Sequence, residues 1–330
     1  MHGPCGPPRW SSEREAWLLT RFGDVVAGLR EGHLSAAGRH GDTPLDALDE
    51  SAHREARRAV HAALPGEAVA AWRAQIEPLA ARLVGALPAD REVDLIGELA
   101  EPVALTLAVA VTGSEAGEAR RLSALAREVF SAAAEPDDDA LRLAAERATL
   151  TLAGAVRQPI DVQTFVALAH TLPCWLGAAW QALLDHRAEL ARLLAEPARI
   201  PDAVEELLRV AGPAQAQFRR AAADVSLGGV RIGAGDRVIL MLAAANRDPE
   251  RWPDPDRLDL SRDATGHVAF GAGAHACPGA TVIRMAAAVL TAAVAPRLAA
   301  TTSVRSEGRG GFAIRGLASL WVDGRRSRRE

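Results

Sequence analysis

The chain has 330 residues, 49% of them apolar, and a net charge of -4. That composition supplies a sizeable core and argues against a nucleic-acid binder. Every basic side chain other than His is Arg, and the three cysteines, Cys5, Cys174 and Cys277, are scattered without paired spacing. They point to a reducing compartment rather than a disulfide scaffold.

Residues 1–15 carry Pro and Gly but no apolar signal-peptide core, and read as a loose leader. Residues 16–20 read as a short strand, and 24–30 as a helix capped by Asp24. The polar stretch 31–45 reads as loop. A helix is expected over 51–63, where His53 and Arg57 stand four apart and so share a face, while Arg54 and Arg58 point elsewhere. On their own these residues read as a solvated basic face, as most charge runs are, with ligands for an anion as the alternative. Residues 66–152 are almost continuous amphipathic helix, broken at 88–90, 113–114 and 136–139.

Residues 161–185 are strongly apolar and contain His170, Thr171 and Pro173, the last expected to kink or break the helix. Trp175 and Trp180 in the same stretch read as core. Glu206 and Arg209 are three apart on a helix over 203–210, a spacing that permits pairing. Residues 218–236 alternate β-type residues with glycines and read as hairpins. A helix over 280–294, strands over 301–323 and a charged tail over 325–330 complete the chain. Stretches such as 103–111 are too short to span a bilayer. With no internal repeat, one domain is expected over 1–330, mainly helical over 16–215 and β-rich over 216–330.

Before the last helix stands Phe270-Gly271-Ala272-Gly273-Ala274-His275-Ala276-Cys277-Pro278-Gly279. Its glycines let the backbone turn tightly and approach a flat ligand. The helix that follows directs its positive end at the sulfur, which favours the metal-binding thiolate. His275 is placed to bond an anionic group on the same ligand. A lone Cys in a Gly-rich loop is otherwise a buried structural residue. The whole string resembles the haem-binding loop of the cytochrome P450 family, which fixes Phe, two Gly, His, Cys and Gly at these spacings.

That resemblance implies a mainly α fold with small β-sheets (α+β), here with an abbreviated N-terminal and distal lid region. It implies haem b with Cys277 as axial thiolate, set among Phe270, Gly271, His275 and Gly279. His53, Arg57 and Arg219 would join His275 in holding the propionates, and Arg54 and Arg58 are candidate docking charges for an acidic redox partner. Glu206 and Arg209 would meet Arg257, which follows Pro255, in a buried triad bracing the Cys loop. The family's Ala-Gly-x-acid-Thr pattern falls on residues 167–171. Thr171 takes the threonine position, His170 replaces the acid and Leu168 the glycine. Either His170 relays protons with Thr171, or the relay is dispensable, or the two residues merely pack.

The function implied is a cytoplasmic haem-thiolate monooxygenase or oxidative-coupling enzyme. It would act on a small natural product, with electrons from ferredoxin and its reductase and no nucleic-acid or membrane partner. One alternative is a haem-thiolate enzyme that uses peroxide or catalyses a rearrangement. Another is a non-catalytic helper of a second enzyme.

Overall fold

A computed structural model describes residues 5–36, 50–157 and 161–323. The expectations for residues 1–4, the later part of the 31–45 loop and the 325–330 tail lie outside these. In chain order the elements are β1 (Arg9–Ser11), β2 (Ala16–Leu19), α1 (Phe22–Arg30), β3 (Leu34–Ser35), α2 (Glu50–Ala63), α3 (Gly66–Ala86) and β4 (Val93–Asp94). A helical run follows: α4 (Glu101–Thr112), α5 (Ala119–Ala134), α6 (Asp139–Ala153), α7 (Asp161–Val166), α8 (Leu172–Asp185), α9 (Arg187–Ala195) and α10 (Ile200–Ala211). The last part holds β5 (Gln217–Ala221), β6 (Val225–Leu227), β7 (Val230–Ile232), β8 (Arg237–Leu240), α11 (Leu242–Ala245), α12 (Ala280–Ala300), β9 (Val304–Gly310) and β10 (Arg315–Val322). The expected mainly α fold with small sheets is borne out.

The strands form a five-stranded sheet in the order β1-β2-β8-β5-β3, a three-stranded sheet β4-β10-β9 and the hairpin β6-β7. Only β2 and β8 run parallel. Gly228 and Gly229, both at positive φ, make the two-residue turn that the β6-β7 hairpin requires. The larger core packs α12 and α8 against α3, α4 and α10. Apolar residues surround α8 on every side, which is why it runs through the centre. A smaller core lies between α1 and the five-stranded sheet.

Several expectations are corrected. The leader is not loose throughout, since β1 pairs with β2 from Arg9 to Ser11. Asp24 does not cap α1, which starts two residues earlier; the first N–H, on Phe22, is taken instead by the Asp248 carboxylate at 2.7 Å. Pro173 does not break the central helix. A wide turn over Ala167–Thr171, in which Leu172 N–H bonds to Ala167 O, precedes it. This moves the backbone off the ring of Pro173, which has no N–H to contribute. The same device recurs at Ile96–Ala100, again two residues before a proline, Pro102.

The shortened lid is also clarified. Helices α5 and α6 are present, packed together, with Asp138 capping α6 through Ala140 and Leu141 N–H. In sequence, residues 154–160 separate them from α7. One helix among the described residues, Ala280–Ala300, is long and apolar enough to cross a membrane. It is α12, packed in the core against α3, α8, α9 and α10.

Candidate active site

A cavity of about 340 Å³ opens between the Cys277 loop and the face of α7 and α8 that ends at Trp175. The loop is shaped by its own backbone. Val268 N–H is held by Asn246 Oδ1 at 2.8 Å, Gly271 N–H by Val268 O at 2.9 Å, and Cys277 N–H by Phe270 O at 2.8 Å. Gly271 and Gly273 both have positive φ, and a Cβ at Gly273 would stand 2.8 Å from Leu29 O. Neither position accepts a side chain without strain.

Cys277 lines the cavity at the mouth of α12, with Gly279 N–H donating to its sulfur. Burial nevertheless pushes the thiol up from its ordinary value; the Gly279 N–H and the charges of Arg57 and Arg284 pull it down without prevailing. A metal cation on the sulfur would favour the thiolate against that burial.

Basic side chains from α2 face the same space. His53 is buried and its ring centroid lies 4.3 Å from that of His275, with both rings lining the cavity. Arg57 joins them, its pKa lowered by burial and raised again by Cys277. Arg54 and Arg58 are exposed. Arg219 is buried in β5 but is not among the residues lining the cavity. Its guanidinium donates to Phe218 O at 2.7 Å and to Gln217 Oε1 at 3.4 Å, and it is Gln217 that lines the cavity wall.

The expected triad exists with a different third member. Arg209 forms a fully buried, two-pronged pair with Glu206, at 2.7 and 2.8 Å. Arg257 is exposed, and only its carbonyl joins the cluster, accepting from Arg209 at 3.3 Å. The side chain that closes the triad is Arg262, whose Nε donates to Glu206 Oε1 at 3.2 Å while its Nη atoms hold Pro253 O and Asp254 O. The chain turns after Pro255, which points Arg257 outward and brings Arg262 back.

On the central helix, Thr171 and Leu168 line the cavity and His170 does not. His170 is buried on the opposite side, its Nε2 2.7 Å from Ser123 O and its Nδ1 3.2 Å from Arg309 Nη2. A carbonyl can only accept and a guanidinium only donate, so the ring is neutral with its proton on Nε2. Burial lowers its pKa to about 4, and the charge of Arg309 adds to this against the Ser123 hydrogen bond. Of the alternatives for His170, this position away from the cavity favours packing over a relay. Trp180 is core, donating to Thr291 at 3.2 Å. Trp175 is equally buried but also lines the cavity, and its Nε1 has no acceptor among the described residues.

Glu205, His267 and Arg284, which the sequence reading passed over, form a further cluster beside the loop. The only sequence signal was that Glu205 adjoins Glu206 and that Arg284 lies two turns along α12 from the cysteine.

A sulfur facing the cavity, an Arg and two imidazoles able to hold carboxylates, and apolar walls together fit a haem. A cytochrome P450 family profile matches residues 200–297. Cytochrome P450 107B1 of Saccharopolyspora erythraea is 32% identical over 324 residues, spanning 83% of this chain and 80% of that protein. The chain belongs to the cytochrome P450 family.

The cytochrome P450 monooxygenase PikC of Streptomyces venezuelae is 30% identical over 343 residues, covering 89% of this P450 and 81% of its own length. The crystal structure of the LnmA P450 hydroxylase, from the leinamycin biosynthetic pathway of Streptomyces atroolivaceus, superposes with a TM-score of 0.78 at 26% identity. That match covers 93% of this P450 and 90% of LnmA. As a P450 the protein is an enzyme of the haem monooxygenase type, its haem iron held by a cysteine thiolate.

Proposed function

We propose that this P450 oxidises a small, neutral, largely apolar natural product, by hydroxylation or oxidative coupling, with Cys277 as its axial ligand. The observation that carries this is Cys277 at the cavity wall, on the loop between Phe270 and Gly279. Haem bound through a thiolate supplies the activation of dioxygen. Arg57, His53 and His275 would hold its carboxylates, with Arg219 bracing Gln217 from behind. Away from those basic residues the cavity is lined by Val60, Leu64, Val111 and Leu172, with Gln163 and Thr164 as neutral hydrogen-bonding groups, so a charged substrate has no partner there. The biosynthetic pathway to which LnmA belongs supports a place in secondary metabolism. The exposed Arg54 and Arg58 suit an acidic ferredoxin as electron donor.

The test is the absorption spectrum of the dithionite-reduced protein under carbon monoxide. A strongly red-shifted Soret band that disappears in Cys277→Ser supports the reading, and its absence in the wild type defeats it.

One observation favours a second reading, in which peroxide replaces dioxygen and the reductase. Thr171 faces the cavity without an acid beside it, and His170 is turned away. Turnover sustained by added peroxide alone would establish it, and turnover that needs both reductase and dioxygen would remove it.

A further inference from the structure

Behind the cysteine loop, three elements bring together one anion, one cation and an imidazole. Arg284, on the second turn of α12, donates through Nε and Nη2 to the two oxygens of Glu205 on α10, at 2.6 and 2.8 Å. His267 Nε2 lies 3.3 Å from the same carboxylate. Its Nδ1 accepts Ala269 N–H at 3.1 Å, so the proton of the neutral ring is on the nitrogen that faces Glu205. The Arg284 guanidinium also stands 4.7 Å from the centroid of the Phe270 ring, and Phe270 O is the acceptor for Cys277 N–H. The cluster therefore braces the loop at the residue that fixes the cysteine backbone.

The charge of Arg284 also acts on the sulfur, after that of Arg57, and the sulfur acts back on Arg284, while Glu205 reaches the sulfur through its pairing with Arg284. We propose that Glu205 and Arg284 are paired positioning residues that set the electron donation of the Cys277 thiolate, and with it the reduction potential of the iron. This rests on Cys277 being the axial ligand. A cation near a thiolate stabilises its negative charge, weakens its donation to the metal and favours the reduced state; an anion does the opposite. In the intact pair each charge offsets the other. Removing either one exposes its partner, so the two single variants move the potential in opposite directions.

The experiment is a spectroelectrochemical titration of the haem-loaded wild type, Arg284→Gln, Glu205→Gln, Arg284→Lys and the Glu205→Gln/Arg284→Gln double variant. The side chains of Glu205 and Arg284 are 23% and 41% exposed, so water can reach the partner that each variant leaves behind. The midpoint is expected to become more negative in Arg284→Gln and more positive in Glu205→Gln. Arg284→Lys should stay near the wild type, and the double variant should lie closer to it than either single. A brace with no electrostatic role would shift both singles the same way or neither, and either result overturns the inference. Where Arg284→Gln fails to retain haem, Glu205→Gln decides alone: a positive shift supports the proposal and any other result overturns it. A wild type without the red-shifted carbon monoxide band defeats the haem-thiolate reading itself, which keeps the two failures apart.

Discussion

Replacing Arg262 by Leu removes the third member of the buried triad, whereas the same change at Arg257, the arginine whose sequence position suggested that role, removes only an exposed side chain. The Arg262 side chain is 12% exposed and makes three contacts, to Glu206 Oε1 and to the carbonyls of Pro253 and Asp254. Breaking a buried ion pair by deleting one partner costs about 3–5 kcal/mol. Glu206 keeps its two bonds from Arg209 and the Asp259 N–H at 3.1 Å, so the loss falls at the low end, about 3 kcal/mol. An unfolding entropy of about 2.1 cal/mol/K per residue over this chain gives roughly 0.7 kcal/mol/K, so the melting temperature should fall by about 4 °C. Thermal unfolding of the haem-loaded protein, followed by circular dichroism, reads this directly. Arg257→Leu should leave the transition in place. Equal losses in the two variants, or a loss in Arg257→Leu alone, would refute the assignment.

Three further predictions concern Glu205 and the central helix. Burial pushes the Glu205 carboxyl up, but the hydrogen bonds from His267 and Arg284 and the charge of Arg284 outweigh it and hold the pKa at about 2. A carboxylate depressed on folding stabilises the protein above its unfolded pKa of about 4.3 and loses that contribution as pH falls toward 2. Wild type should therefore lose up to about 3 kcal/mol more than Glu205→Gln across that window, as read by urea unfolding at a series of pH values. At the central helix, Thr171→Ala should lower kcat. His170→Leu should instead cost about 1–3 kcal/mol of stability, by leaving Ser123 O and Arg309 without their partner, while the pH profile of turnover stays unchanged. A displaced pH profile in His170→Leu would restore a relay role.

What could be read from the sequence was local. The Cys277 loop is ten consecutive residues, so its glycine conformations, its cysteine and the helix start were all visible in one string. His53 and Arg57 needed only the helical step of four to be placed on one face, and both line the cavity. The failures came where a partner is chosen by the path of an irregular segment. Arg257 and Arg262 lie five residues apart in a stretch without regular structure, and the direction of the chain after Pro255, not spacing, decides which returns to Glu206. Strand alternation places Arg219 inward, where its guanidinium donates to Phe218 O and to Gln217 Oε1 beside the cavity wall.

The central helix shows how one visible residue settles an invisible one. The cavity-lining residues there include Gln163, Ala167, Thr171 and Trp175, each four from the last. In an α-helix a step of four turns the face by about 40°, so three steps would carry Trp175 about 120° away from Gln163. The wide turn at Ala167–Thr171 holds one extra residue and takes back about 100° of that drift. It keeps all four in line and sends His170, one residue before Thr171, to the opposite side. Pro173 is what demands the wide turn, because an ordinary turn would drive its ring into Ala169 O. The outward face of His170 is therefore a consequence of a proline three residues later. Pro173→Ala should let the turn tighten, rotate the segment before it and partly withdraw Thr171 from the cavity. If a crystal structure of that variant kept both the wide turn and the Thr171 position, proline would not be its cause.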